Sequence, residues 1–230
     1  AFYGVLKSSD RYLRFIFLTG VTKFAQVSVF SDLNQLNDIS MKIPYANICG
    51  ITKKELVSTF TPELEHLAEV QDMSFEDTVD KMTAMYDGYH FTHNSIGIYN
   101  PFSLLNAFKY KEFGSYWFET GTSTYLVELL KKHHYDLERM AHEETDAQVL
   151  NSIDSESTNP IPVIHQSGYL TIKGYDEEFG IYRLGFPNRE VEEGFIRFLL
   201  PYYASVTKVE SPFEIQKFVR EVRSGDYDSF

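Results

Sequence analysis

Hydrophobic and polar positions along this chain fall into distinct patterns, and each predicts a different element. The first is a fully apolar run, Phe15-Ile-Phe-Leu18, that gives way to Thr19, Gly20, Thr22 and Lys23. Apolar side chains on both faces predict a central strand of a parallel sheet, where ligands gather at the strand's carboxyl end. With so little chain ahead of it, this strand is expected to be the last piece of a larger α/β domain. The second pattern has helical spacing. Thr52-Lys-Lys-Glu55 is a capping box that opens a helix. Thr61-Pro62-Glu63 opens another, with Thr61 as the expected cap and Pro62 in the first turn. Ser74 opens a third, with Phe75, Val79, Met82 and Tyr86 on one face and a stop at Asp87-Gly88. Asn100-Pro101 caps a fourth, and a fifth is predicted from Ser123 to Lys132.

Farther along, the spacing changes to period two. Gly168 to Tyr175 and Gly180 to Phe186 alternate in the strand manner around Asp176-Glu-Glu178, which predicts a β-hairpin. Before it, residues 135–160 are acidic and polar and read as a helix followed by a linker. After it, Asn188 caps a helix whose Val191, Phe195, Phe198, Leu199 and Tyr202 share a face, and Ser211-Pro212 opens a last one over 213–223. Helix, hairpin, helix is a winged-helix-like order. The fold class expected is α+β and mostly helical: the end of a P-loop-type α/β domain, a helical lid, and a winged-helix-like module with its hairpin. The divisions fall at 1–40, 41–135, 136–205 and 206–230.

Composition narrows the function classes. A hydrophobic content of 43% with 16% aromatics supports a packed core rather than disorder. Net charge is −12, which opposes a broad nucleic-acid surface, since phosphate binding depends on clustered Lys and Arg. The single cysteine, Cys49, excludes an internal disulfide and favours a reducing, cytoplasmic setting. Its neighbours Ile48, Gly50 and Ile51 predict inert burial. No apolar run is long enough to cross a membrane. Ala1 in place of Met is expected of a piece of a longer protein.

Catalytic motifs are conspicuous by their absence. There is no G-x-x-x-x-G-K-[ST] loop to cradle phosphates, no G-x-S-x-G elbow, and no acidic residue two places before any lysine. Asp87, His90 and His93 are candidate metal ligands by residue type, although Asp87-Gly88 breaks the helix that would align them, and a locally packed turn is the alternative. Lys173, Arg183, Arg189 and Arg197 are the basic residues near the hairpin and its following helix, and hence the candidate DNA contacts. The Asp-Glu-Glu tip would meet phosphate with like charge.

Six segments occur in a telling order: Phe17-Leu-Thr-Gly-Val-Thr-Lys-Phe24, Tyr86-Asp-Gly-Tyr-His-Phe91, Tyr99-Asn-Pro-Phe-Ser103, Tyr116-Trp-Phe-Glu-Thr-Gly121, Ser167-Gly-Tyr-Leu170 and Gly185-Phe-Pro-Asn-Arg-Glu-Val191. Together they resemble the AAA-ATPase-like proteins of Bacteroides. That resemblance implies a preceding region with the phosphate-binding loop and magnesium-binding acid, and a following PD-(D/E)XK nuclease-like domain. ATP and magnesium would then belong to the parent protein, with none expected on this piece. Thr22 and Lys23, with Thr19 as the alternate, would match the strand end that senses the γ-phosphate. The implied role is nucleotide-state sensing and coupling, without a complete active site. A winged-helix module that binds protein, or less favourably DNA, is the alternative.

Overall fold

The structure, a computed structural model, describes residues 5–6, 8–20, 37–121, 130, 143–151 and 159–203. It is a mixed helical and sheet protein in which each sheet is small and antiparallel. Strand β1 (Ile51–Thr52) leads directly into helix α1 (Lys53–Thr59), then come α2 (Thr61–Val70), α3 (Phe75–Tyr86), strand β2 (Ile98–Tyr99) and α4 (Pro101–Tyr110). The caps explain the starts. The Thr52 hydroxyl accepts from Glu55 N–H while Glu55 Oε2 accepts from Thr52 N–H, a complete capping box. Ser74 accepts from Asp77 N–H, and Asn100 accepts from both Phe102 and Ser103 N–H. One expected cap is elsewhere. Thr61 is the first helical residue of α2 and Phe60 precedes it, because the Thr61 hydroxyl donates back to the Val57 carbonyl instead of capping forward. Leu56, Leu64, Met82, Tyr86, Tyr99 and Leu104 form the centre of this helical lobe's core.

A short helix, α5 (Tyr116–Gly121), leads out of that lobe. The second lobe holds β3 (Glu144–Asp146), α6 (Ala147–Asn151), α7 (Ile161–Gln166), β4 (Thr171–Asp176), β5 (Ile181–Gly185) and α8 (Arg189–Tyr203). The predicted hairpin is present as β4 and β5, and β5 is the central strand of the order β3-β5-β4. Strand β3 falls where the sequence pattern predicts a helix and linker. Its Glu-Thr-Asp carries no apolar alternation, and it is a strand because Glu144, Thr145 and Asp146 pair with Arg183, Tyr182 and Ile181. Along β4 the register slips between Ile172 and Gly174, so Lys173 is an extra, bulged residue. Phe118, Tyr169, Leu184, Val191 and Phe195 pack at the centre of this lobe. Helix α8 approaches α5 so closely that a Cβ on Gly194 would meet the Phe118 ring.

Two other expectations are corrected. Residues 13–20 have no helix or strand beyond a bend at Arg14, and Phe15 is 80% exposed. No described strand lies beside Phe15–Leu18, so the run has neither ladder hydrogen bonds nor a face to bury, and a central strand does not form. Cys49 is exposed rather than buried, because it lies in the turn that follows a 3-10 segment (Ile43–Tyr45) on the surface.

Candidate functional site

The segment 86–91, where α3 stops, runs between the lobes and brings the sequence motifs together. Asp87 closes the helix in an extended conformation, and its Oδ1 accepts from Gly88 N–H at 2.7 Å. Gly88 has φ +102°, and a Cβ there would collide with the Pro187 carbonyl oxygen at the entrance to α8. Only glycine fits both demands at that point. Tyr89 then bridges to Ile98, donating and accepting backbone hydrogen bonds at 3.3 and 3.1 Å. Next, His90 meets β4. The buried Thr171 hydroxyl accepts from His90 N–H at 2.7 Å and donates to His90 C=O at 3.0 Å. One side chain thus pairs with both backbone groups of His90.

Charge gathers on the open side of this junction. Asp87 is half-buried beside Lys53, His90 and Lys173. Burial pushes its carboxyl above the ordinary range, opposed by the Gly88 N–H and by the neighbouring His90, Lys53 and Lys173. The bulge re-aims Lys173, whose ammonium donates to the Pro187 carbonyl at 3.1 Å in a partly buried contact. Burial lowers its pKa, and Asp87 and Glu192 oppose that. An open cleft lined by Lys53, Ser58, Asp87 and Gly97 adjoins this cluster.

On the closed side lies Glu190, whose residue exposure is 0%. Its Oε1 accepts from Trp117 N–H at 2.8 Å, so a carboxyl of α8 answers the free N–H groups at the start of α5. Burial raises its pKa, with the Ser103 hydroxyl and the N–H groups of Trp117, Phe118 and Tyr116 opposing. Tyr86 completes the joint, its hydroxyl donating to Gly114 C=O and accepting from Gly114 N–H at 3.0 Å each. Tyr99 donates to the Thr83 hydroxyl at 2.7 Å, since that hydroxyl's own proton goes to Val79 C=O, and burial pushes Tyr99 up to about 12.

The candidate residues scatter around this junction. Asp87 and His90 sit at it, but His93 turns away to stack on Tyr175 at 4.5 Å, and His90 Nδ1 faces the Ser95 carbonyl at 2.9 Å. Among the described residues no three His, Cys, Asp or Glu are placed to hold a metal. Thr19 is exposed on the irregular stretch, while Thr22 and Lys23 lie outside the described residues. Of the basic residues, Arg189 forms an ion pair with Glu193 at 2.8 Å, Arg197 approaches the same carboxylate at 3.9 Å, and Arg183 lies over Gly174. Lys173 is exposed as a residue, with its ammonium tethered to the Pro187 carbonyl. Sequence reasoning gave Glu190 and Thr171 no role. Glu190 has the look of a solvated acid in a helix's first turn, and its partner lies 73 positions away.

With the geometry established, comparison with known proteins adds one relative. The chain is 38% identical over 213 residues to an uncharacterized protein in the vnfD 5′ region of Azotobacter chroococcum mcd 1, a match that takes in 90% of this chain and 39% of that protein. The chain therefore spans about two fifths of the relative's length. No family model matches the chain, and no solved structure does.

Proposed function

We propose that this chain is a coupling part of an AAA-ATPase-like protein, one that carries nucleotide state between neighbouring regions rather than performing chemistry alone. The observation that carries this reading is where the motif residues are used. Asp87-Gly88-Tyr89-His90, Ser103, Trp117 and Pro187 to Glu190 meet in a joint between two lobes. Side chains bonded to backbone across such a joint favour lobes that move as one, which suits a lever more than an active centre. ATP and magnesium would be held by the parent protein. Among the described residues there is no glycine-rich cradle and Thr19 stands exposed, so these residues do not by themselves fit a triphosphate. Thr22 and Lys23 remain the proposed sensor pair, and a nuclease-like domain the proposed neighbour.

A titration with a fluorescent ATP analogue tests this. The chain alone is expected to bind weakly or not at all, and a longer protein that includes the region ahead of it should bind. Tight binding by the chain alone would sink the reading. A second reading, a winged-helix-like module for a protein partner, is favoured by Phe179, which is 69% exposed beside the acidic hairpin tip. A salt-dependent mobility shift with duplex DNA would turn that reading towards nucleic acid.

A further inference from the structure

The open cleft of the helical lobe has a volume of about 610 Å³ and brings the start of α1 to the end of α3. Small-molecule sites span roughly 300–1,000 Å³. Two acceptors gather at its Gly97 side. A Cβ on Gly97 would stand 3.1 Å from Asp87 Oδ1 and 3.4 Å from His90 Nε2, so the bare glycine leaves both within reach. Asp87 Oδ1 accepts from Gly88 N–H, and Oδ2 has no hydrogen bond among the described residues. His90 Nδ1 faces the Ser95 carbonyl, which can only accept, so Nδ1 carries the proton and Nε2 of the neutral ring is an acceptor. The cations come from α1. Lys54 makes no ion pair among the described residues, and Lys53 has only a 4.0 Å contact with Asp80, its side chain 55% exposed. Glu55 also lines the cleft, but its Oε2 is committed to the N–H and hydroxyl of Thr52.

We infer that this cleft is a binding site for a small zwitterion, its ammonium held by Asp87 with His90 Nε2 and its carboxylate by Lys53 and Lys54. The mixture of charges selects the ligand. A purely anionic molecule would meet the carboxylates of Asp87 and Glu55, and a purely cationic one would meet the two ammonium groups. A bare metal ion would find Asp87 and His90 without a third His, Cys, Asp or Glu placed to join them among the described residues. An ammonium donates up to three hydrogen bonds, which Asp87 Oδ2 and His90 Nε2 can accept, and a carboxylate accepts from lysines. Asp87 is half-buried, so a cation brought against it offsets a desolvation that water alone does not. This inference is independent of the ATPase-like reading, since it rests on the cleft alone.

Titration of the isotope-labelled chain, followed by amide chemical shifts, tests it. The probes are glycine, β-alanine, 4-aminobutyrate and glycylglycine, which step the distance between ammonium and carboxylate, with ethylamine and propionate as the separate halves. At least one zwitterion is expected to move the Gly88, Gly97 and Lys54 signals together, binding about tenfold or more tightly than either half. Lys53→Met with Lys54→Met, both on exposed side chains, should bring that zwitterion down to the affinity of ethylamine. Asp87→Asn keeps an oxygen for Gly88 N–H and should bring it down to that of propionate. Should Asp87→Asn fail to fold, the lysine variant decides. Propionate binding as tightly as every zwitterion would mean an adventitious anion on two lysines and overturns the inference. So does a zwitterion affinity that the lysine variant leaves unchanged, or the absence of shifts with all four zwitterions.

Discussion

At the scale of single residues, the joint depends on positions where one side chain, or none, satisfies several constraints. Gly88 combines a left-handed conformation with contact against Pro187. Gly88→Ala is expected to cost at least about 1–2 kcal/mol in urea unfolding, from the conformation alone. An unchanged midpoint would show that the joint is looser than described. Glu190 sets a pH dependence of definite sign. Its pKa is raised in the folded state above the ordinary 4.5, so the folded chain holds that proton more tightly than the unfolded chain does. Its contribution to stability is greatest below 4.5 and declines as pH climbs through that value towards the folded pKa. Glu190→Gln, which cannot titrate, is expected to flatten that part of the stability–pH curve. A curve of unaltered slope would assign the dependence elsewhere, for example to Asp87, whose shift has the same sign.

Elements divide by whether their cause is local. The helices beginning after Thr52, Ser74, Asn100 and Asn188 were legible because a cap and an apolar face a few residues apart specify each one. The hairpin was legible from its alternation and its turn, where Asp176 Oδ1 accepts from Glu178 and Phe179 N–H. Removing a local cause should have a local effect: Asn100→Ala is expected to destabilise by about 1 kcal/mol, read from the thermal midpoint or from faster amide exchange in the first turn of α4. Strand β3 and the start of α2 were not legible. The first is made by pairing with a strand about forty residues away, the second by a hydroxyl turning back to a carbonyl of the preceding helix. The Phe15–Leu18 run teaches the converse. Its pattern is that of a strand, but a pattern supplies only the faces, and neighbours must supply the ladder.

For the molecule as a whole, the site was legible as a set of motifs but not as a place. Tyr86 to Phe91 and Gly185 to Val191 stand out in the sequence, whereas their meeting depends on contacts such as Thr171 with His90, 81 positions apart. Thr171→Val keeps the shape and removes both hydrogen bonds, and should cost about 1–3 kcal/mol. If the joint is what makes the lobes unfold together, the variant's urea transition should also broaden or split when followed by Trp117 fluorescence and by circular dichroism. Coincident, sharp transitions would place the cooperativity elsewhere. One exposed feature bears on how copies of the chain meet each other. Phe15, Phe17 and Leu18 present bare apolar surface, and a net charge of −12 keeps copies apart by repulsion. Salt shortens the reach of that repulsion to about 8 Å at physiological ionic strength without weakening apolar contact. Colloidal stability should therefore fall as salt rises, seen as growing light scattering, and Phe15→Ser with Phe17→Ser should restore it.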